Sequence, residues 1–188
     1  MKTEIHFVGL GNAGKHIAEY FHSKRVSGSY SVVTHPDKIT QTSDIENILY
    51  CHDVEDKIER RRMELQNHTV ESIHLITNEI KQLFEYDTRY VLLSGLGKYM
   101  GTNLTLQLTD YLISKERKFH VLCSTPFAFE GDNTNDYAKI ALKKLLQITN
   151  PKVISLNGLR KKYGNMKLAE AYDRIDNEFL EEFEKVGW

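Results

Sequence analysis

The amino-acid sequence predicts an α/β fold with a Rossmann-like parallel sheet and helices on both faces. Short, continuously apolar runs alternate along the 188 residues with segments whose apolar residues recur at helical spacing. Runs that are apolar throughout, rather than at every second residue, are typical of parallel strands covered on both faces. Glycine-rich turns follow two of these runs, and in such sheets ligands bind at the carboxyl ends of the strands. We therefore expect a binding site at the two turns.

In the first half of the chain, apolar runs predict strands over residues 5–8, 30–34 and 90–94. The helix after the first strand has an inner face of Ile17, Ala18 and Phe21. Residues 44–84 are highly charged, and we predict that they are helical with a break near residues 67–69. After the break, apolar residues recur at helical spacing, namely Val70, Ile73, Ile80, Leu83 and Phe84.

In the second half, strands are predicted over residues 119–123 and 153–156. Three helices are predicted from their apolar stripes. The first stripe consists of Leu104, Leu108, Tyr111 and Leu112, and the second of Tyr137, Ile140, Ala141, Leu145 and Ile148. The closing amphipathic helix carries Leu168, Tyr172, Ile175, Phe179, Phe183 and Val186.

The composition predicts one globular domain over residues 1–188. The chain has 25 Lys and Arg against 26 Asp and Glu, and this balance argues against a nucleic-acid partner because such proteins usually carry a basic excess. No apolar run approaches the roughly 18 residues of a membrane span, so we expect a cytoplasmic protein. Cys51 and Cys123 form no CxxC pair, the eight histidines have no metal-binding spacing, and no catalytic nucleophile motif is present. We predict reduced thiols, no metal site and no catalytic residue.

The first glycine-rich turn, residues 9–14, has the GxGxxG spacing between a predicted strand and a predicted helix. Such glycines allow backbone N–H groups to approach a phosphate, which the amino terminus of the helix stabilises. A turn that needs positive φ without any ligand remains open. NAD(P) binding would require an acidic residue at the end of the next strand. Asp37 is the nearest candidate, but it lies beyond Pro36 and later than the usual spacing.

A second glycine-rich turn, residues 95–102, also follows a strand and precedes a helix. One sheet would then present two phosphate-binding loops, which a dinucleotide fold does not require. A nucleotide with several phosphates, held from both sides, would explain both loops.

Residues 125–131, with the sequence TPFAFEG, resemble the PFxFEG motif of the FtsZ/tubulin family of GTP-binding filament proteins. The resemblance covers almost the whole chain in the same order. The first turn, VGLGNAG, is similar to the family's first phosphate loop, and residues 95–102 lie where the family has its GGGTGTG signature. Asn157-Gly158-Leu159 and Ala171-Tyr172 lie where the family often has Asn-Asp-x-Leu and Ala-Phe.

The resemblance implies a ligand, GTP or GDP with or without Mg²⁺, and a role for each matching residue. The α- and β-phosphates would be approached by Gly11, Asn12, Ala13 and Gly14. The terminal phosphates would be surrounded by Gly97, Lys98, Tyr99, Met100, Gly101 and Thr102, with the Thr102 hydroxyl donating. Glu130 would bind the ribose, Tyr172 would stack on the base, and Asn177 or the adjacent Asp176 would read the guanine edge. His16 lies where the family often has an asparagine near the base.

The chain also departs from the family pattern. Lys98, Tyr99 and Met100 replace the small residues of the signature, and Asn103 replaces its last glycine. Lys98 either places a cation near a phosphate or is solvated beside a degraded loop. The family's arginine after the PFxFEG motif is missing, and Asp132 at this place would repel a triphosphate. The family's glycine-rich loop after the second strand is also absent.

The chain stops at Trp188, where the family's second domain and its acidic loop would follow, so we expect at most a weak GTPase. The expected role is a nucleotide-dependent switch or scaffold that acts through a homo-oligomer or a longer FtsZ/tubulin-like partner. The aromatic end of the closing helix, Phe179 to Trp188, either forms an oligomer interface or packs on the sheet. The alternatives are a scaffold of the same fold that has lost nucleotide affinity and an NAD(P)-binding Rossmann protein.

Overall fold

Six parallel strands form the centre of the structure, a computed structural model that describes residues 4–35, 43–51, 75–164 and 168–186. The strands are β1 Ile5–Leu10, β2 Ser29–Thr34, β3 Ile48–Tyr50, β4 Arg89–Gly95, β5 Lys118–Thr125 and β6 Lys152–Ser155. Their order in the sheet is β3-β2-β1-β4-β5-β6, and every neighbouring pair is parallel. This is the order of a doubly wound Rossmann sheet, and the predicted fold class is confirmed.

Helices cover both faces of the sheet. They are α1 Gly11–Ser23, α2 Asn78–Gln82, α3 Tyr99–Ser114, α4 Asp132–Ile148, α5 Leu156–Tyr163 and α6 Leu168–Lys185, with a short 3-10 helix at Ala128–Glu130. One core contains buried side chains of α2, α3 and α4, and the other contains those of α1, α5 and α6. Of the helices in the described part of the chain, none has the length and apolar character needed to cross a membrane.

The two cores explain why the strands are apolar at consecutive positions. In β1, Phe7 belongs to the core beneath α1, whereas Val8 and Leu10 belong to the core beneath α3. Side chains of a strand alternate between the two faces of the sheet. A strand in the middle of a sheet that is covered on both faces therefore needs apolar residues at consecutive positions.

The segment between β2 and α2 differs from the prediction. Residues 44–84 were expected to be helical, but β3 lies within them and pairs with β2 at the edge of the sheet. The backbone N–H of Val32 donates to the carbonyl of Asn47, and that of Cys51 donates to the carbonyl of Thr34. These bonds give the backbone groups on one side of β2 their hydrogen-bond partners. They stabilise the extended conformation of β3 although the surrounding segment has a helical sequence pattern. The predicted break at 67–69, Val70 and Ile73 lie outside the described residues.

A helix that was not predicted, α5, follows β6. Its amino terminus is capped by Ser155, whose Oγ accepts the N–H of Gly158 at 3.1 Å. The strand predicted to extend to residue 156 therefore ends at Ser155. An N-cap serine is a recognisable signal for the start of a helix. Here the apolar run Val153-Ile154 before it predicts a strand that continues past the serine.

The closing helix α6 packs on the sheet with its aromatic residues. Phe179 is fully buried, and the ring of Phe183 contacts those of Phe7 and Phe21 at centroid distances of 5.1 and 5.7 Å. Of the two alternatives for this end of the helix, packing on the sheet is therefore correct for Phe179 and Phe183. These two side chains are therefore not available for an oligomer interface, and Gly187 and Trp188 lie outside the described residues.

Polar groups near the start of β1 form a small, partly buried network. The Nε2 atom of His6 lies 2.7 Å from Oγ of Ser31, and Nδ2 of Asn47 donates to the same Oγ at 2.7 Å. Burial lowers the pKa of His6 to about 4 from its usual value of 6.5.

We expect His6 to make the fold sensitive to acid. Between pH 6.5 and 4 the unfolded chain binds a proton at this histidine and the folded chain does not, so the free energy of unfolding falls as the pH falls. Relative to His6→Gln, the wild type should lose about 2 kcal/mol between pH 7.5 and 4.5 in urea unfolding. The exposed His22 provides the control, since His22→Gln should follow the wild type. Parallel curves for His6→Gln and wild type would show that burial of His6 does not perturb its titration.

Candidate functional site

The two glycine-rich turns lie side by side at the carboxyl edge of the sheet. β1 and β4 are neighbours, with Leu10 opposite Ser94 in the register, and each strand continues into one of the turns. From β1 the chain enters α1 on one face, and from β4 it enters α3 on the other. A crevice opens between such connections, and this is where doubly wound sheets bind ligands.

The backbones of the two turns are in direct contact. Gly11 has φ +67°, and a Cβ on it would lie 3.0 Å from the backbone N of Gly101. A Cβ on Gly14 would lie 2.1 Å from the carbonyl oxygen of Leu93 in β4. The glycines are therefore required for packing the first turn of α1 against β4 and the second loop, whether or not a ligand binds.

Three helices that begin at this edge have no side-chain cap. The N-cap residues of α1, α3 and α4 are Leu10, Lys98 and Gly131, and none of them provides a capping hydrogen bond. By contrast, α2 and α5 are capped by Thr77 and Ser155. The first N–H groups of a helix have no partner within it, and they form the positive end of the helix dipole. The centre of the carboxyl edge thus presents donors suited to an anion.

The second loop satisfies part of its own polar groups. The backbone N–H of Gly97 donates to Oγ1 of Thr102 at 2.9 Å, and Thr102 is fully buried. The hydroxyl oxygen that was expected to face the terminal phosphates is thus engaged within the loop. Tyr99 and Met100 are partly buried and pack against the core beneath α3, while Met100 also lies beside Gly11. The side chains that replace the family's small residues are accommodated largely by the core.

A charged pair joins the loops that follow β4 and β5. The Nζ atom of Lys98 lies 3.6 Å from Oε2 of Glu130 and 3.5 Å from Oγ1 of Thr134. The other oxygen of Glu130 accepts the N–H of Phe127 at 3.0 Å, which fixes the carboxylate. Because the Lys98 side chain is 69% exposed, this pair contributes little to stability and is easily exchanged for another partner.

The residues expected at the base lie on α1 and α6. The hydroxyl of Tyr20 donates to Oδ1 of Asn177 at 2.5 Å, and this bond ties the two helices together. Tyr172 is 58% exposed. The imidazole of His16 lies 3.6 Å from the carboxylate of Glu19.

Asp176, which precedes Asn177, has a carboxyl group whose pKa is shifted. Burial and, to a lesser extent, the negative charge of Asp173 together raise the pKa of Asp176 to about 6. Perturbed groups of this kind occur more often at functional sites than elsewhere, although structural contacts also produce them.

Two residues of the site, Tyr20 and Lys15, were not singled out from the sequence. Tyr20 holds Asn177. Asn157, which the resemblance had singled out, accepts the backbone N–H of Ala128 at 2.9 Å and supports the loop after β5. Lys15 is 3% exposed, and its Nζ atom lies 3.6 Å from Oε1 of Glu19. A buried cation in the first turns of a helix opposes the helix dipole, and an adjacent anion would relieve this. Lys15 lies three residues before Ala18 on the same helix, and this spacing indicates that Lys15 faces inward.

The structure therefore places the predicted site residues in two sets that α1 connects. The first set contains the glycine loops, Lys98 and Glu130, and the second contains His16, Tyr172, Asp176 and Asn177. No cluster of three metal-binding side chains occurs among the residues with described positions.

Solved structures of similar fold cover almost the whole chain. An empty FtsZ dimer from M. jannaschii matches 95% of it with a TM-score of 0.68 and 18% identity. The GDP-bound monomer of CetZ1 from Haloferax volcanii also matches 95%, with a TM-score of 0.70 and 16% identity. The GTPγS-bound protofilament of CetZ2 from Haloferax volcanii matches 92%, with a TM-score of 0.66 and 16% identity.

The chain spans about half the length of these proteins, covering 52%, 58% and 55% of them respectively. No protein-family model and no curated protein matches the sequence. The structural matches show that the chain has the fold of the FtsZ/tubulin nucleotide-binding domain.

Proposed function

We propose that the chain is a guanine-nucleotide-binding domain that acts through self-association or a longer partner of the same fold. The proposed ligand is GTP or GDP, bound with or without Mg²⁺. The chain alone hydrolyses little or no GTP. The proposed location is the cytoplasm. The observation that carries the proposal is the group of three helix amino termini at the carboxyl edge that lack side-chain caps, since α2 and α5 are capped.

The first loop fits a pair of phosphates. Gly11 and Gly14 are buried against the sheet, whereas Asn12 and Ala13 between them are exposed at the start of α1. Their backbone N–H groups lie in the first turn, where no intrahelical carbonyl is available to them. Lys98 adds a mobile cation from the second loop, and the buried Lys15 adds a second positive charge. These groups favour an anion over a neutral ligand.

The remaining parts of the nucleotide are assigned by position. Glu130 has a fixed carboxylate that could accept hydrogen bonds from ribose hydroxyls once Lys98 turns to a phosphate. The exposed ring of Tyr172 is available for stacking. Asn177, or the adjacent Asp176, would accept hydrogen bonds from the N–H groups of guanine through a side-chain oxygen.

The assembly part of the proposal is supported by the structural neighbours. The FtsZ structure is a dimer, and the CetZ2 structure is a protofilament with GTPγS. Light scattering of the purified protein with and without GTP tests it. A strict monomer at high protein concentration under both conditions would contradict self-association.

A scaffold of this fold without nucleotide affinity is the second candidate. The bond between Gly97 and Thr102 favours it, because a loop that satisfies its own N–H groups has fewer donors for a phosphate. An NAD(P)-binding protein is the third. The strand order suits it, but Asp37, its candidate ribose ligand, lies outside the described residues.

Calorimetric titration distinguishes the three candidates. We expect micromolar binding of GTP and GDP and no binding of NAD or ATP, together with release of a guanine nucleotide when the purified protein is denatured. Removing the base-reading amide in Asn177→Ala should weaken GTP binding roughly 10-fold, the value of about 1.4 kcal/mol for a lost hydrogen bond. The exposed Asn150 at the opposite edge is the matched control, and Asn150→Ala should bind as the wild type does.

Two other results of the titration would contradict the proposal. Binding of NAD without GTP would overturn the proposal in favour of the dinucleotide candidate. No binding of any nucleotide would favour the scaffold.

A further inference from the structure

A second concave surface lies at the opposite edge of the sheet, where β4 and β5 begin. This cleft has a volume of about 460 Å³, within the range of small-molecule sites. Its polar wall carries Arg89, Arg117, Lys118 and His120. Within the described part of the chain, none of the residues that line it is a carboxylate. The cleft shares no residue with the candidate nucleotide site.

The cationic groups are brought together by the register of the sheet. Arg89 and Lys118 are the first residues of β4 and β5, and they are partners in the parallel ladder. His120 follows two residues after Lys118, on the same face of β5. Arg89, Lys118 and His120 therefore lie close together where the two strands begin.

The guanidinium of Arg117 is held in place with a donor left over. Its Nη2 atom donates to the backbone carbonyl of Glu85 at 2.7 Å. Its Nε atom is buried and has no hydrogen-bond partner among the residues that the structure describes. The guanidinium is thus anchored at one nitrogen, and its position at the rim of the cleft places a permanent positive charge there.

The titration of His120 reports the same electrostatic environment. Burial lowers the pKa of His120, and the positive charges of Arg89 and Lys152 lower it further. The charges of Arg89 and Lys152 therefore act at this edge, and positive charges favour an anion.

The lining of the cleft is also apolar in part. The apolar residues that line the cleft are Ile113, Phe119, Ile148 and Val186, of which Ile113 and Ile148 are more than 40% exposed. Large apolar side chains exposed next to a cationic group suit a ligand that has both an apolar part and a negative charge.

We propose that this cleft is a binding site for a small amphiphilic anion, a phosphate monoester with an apolar substituent. The phosphate contacts Arg117 and Lys118, and the substituent lies against Ile113, Phe119 and Ile148. Arginine and lysine are both suited to phosphate, arginine through its paired donors and lysine as a compact charge. The site is independent of the nucleotide site and of the function proposed for it.

Calorimetry with hexyl phosphate and inorganic phosphate tests the proposal. Hexyl phosphate should bind at least about 10-fold more tightly, because each buried methylene contributes to transfer from water. Arg117→Gln and Lys118→Gln should each weaken hexyl phosphate binding about 10-fold, the usual loss when a charged hydrogen bond is removed. Lys143→Gln, which removes the charge of an exposed lysine on α4, is the matched control and should bind as the wild type does.

Two further measurements keep the test decisive. Since Arg117 also supports Glu85, its variant is compared by thermal unfolding, and the exposed Lys118 decides the outcome if Arg117→Gln unfolds. Wild-type affinity in Lys118→Gln, or equal affinity for hexyl phosphate and inorganic phosphate, would overturn the proposal. Co-sedimentation with vesicles containing phosphatidic acid then identifies the source of the ligand. Lys118-dependent sedimentation indicates a lipid headgroup, and binding of hexyl phosphate without sedimentation indicates a soluble phosphate monoester.

Discussion

Asn12→Asp is expected to reduce the affinity for GTP and GDP about 100-fold while leaving the fold intact. Asn12 is exposed in the first turn of α1, between the buried Gly11 and Gly14. A carboxylate is isosteric with the amide and favours the positive end of the helix, so the free energy of unfolding should stay equal or rise slightly. It would also lie within about 5 Å of the proposed phosphates, where repulsion of about 3 kcal/mol corresponds to that loss. Calorimetry with GDP and urea unfolding measure the two effects.

The same substitution at another helix start controls for its general effects. Asn78 is exposed at the first residue of α2, and Asn78→Asp should bind GDP as the wild type does. A small salt-sensitive gain in stability is expected in both variants. If Asn12→Asp binds GDP with wild-type affinity, the phosphates do not lie at the start of α1.

Gly14→Ala is expected to cost about 3 kcal/mol of unfolding free energy or more, the upper range for an added methyl in a packed interior. The added Cβ would lie 2.1 Å from the carbonyl oxygen of Leu93 and 3.0 Å from the carbonyl carbon of Gly9. Both atoms belong to the backbone, so no rotamer change relieves the overlap. Helix α1 would have to move away from β4, and urea unfolding monitored by circular dichroism should show an earlier midpoint.

Gly158→Ala is the control for helix propensity. Gly158 is also a helical glycine without positive φ, and its Cβ would lie 3.3 Å from the Cβ of Ser155. Alanine favours a helix, so the change should stay within about 1 kcal/mol in either direction. A comparable loss in both variants would mean that the packing of α1 on β4 is not the cause.

The core strands were predictable because burial on both faces leaves a local signal. Five of the six described strands coincide with continuous apolar runs. The sixth, β3, has three residues and lies within a charged segment, and its existence depends on hydrogen bonds to β2. Such an edge strand is defined by its partner rather than by its own residues.

The sequence predicts the loops of the candidate site but not the contacts between its side chains. Their glycines and the strand-turn-helix order are local features, and the structure places both turns at neighbouring strands. The inward hydroxyl of Thr102, the pair of Lys98 with Glu130 and the bond of Tyr20 to Asn177 each depend on side-chain rotamers and on elements distant in sequence. Sequence spacing carries no information on these contacts.

The pairing of β1 with β4 also has a consequence for how the protein folds. Leu10 and Ser94 are partners in the register, so joining them closes a chain segment on the order of 80 residues, at an entropic cost that rises with the length of the loop. The crevice between the glycine turns exists only after this long-range contact has formed. A ligand that contacts both turns would bind the folded chain alone and raise its unfolding temperature in proportion to the logarithm of ligand concentration.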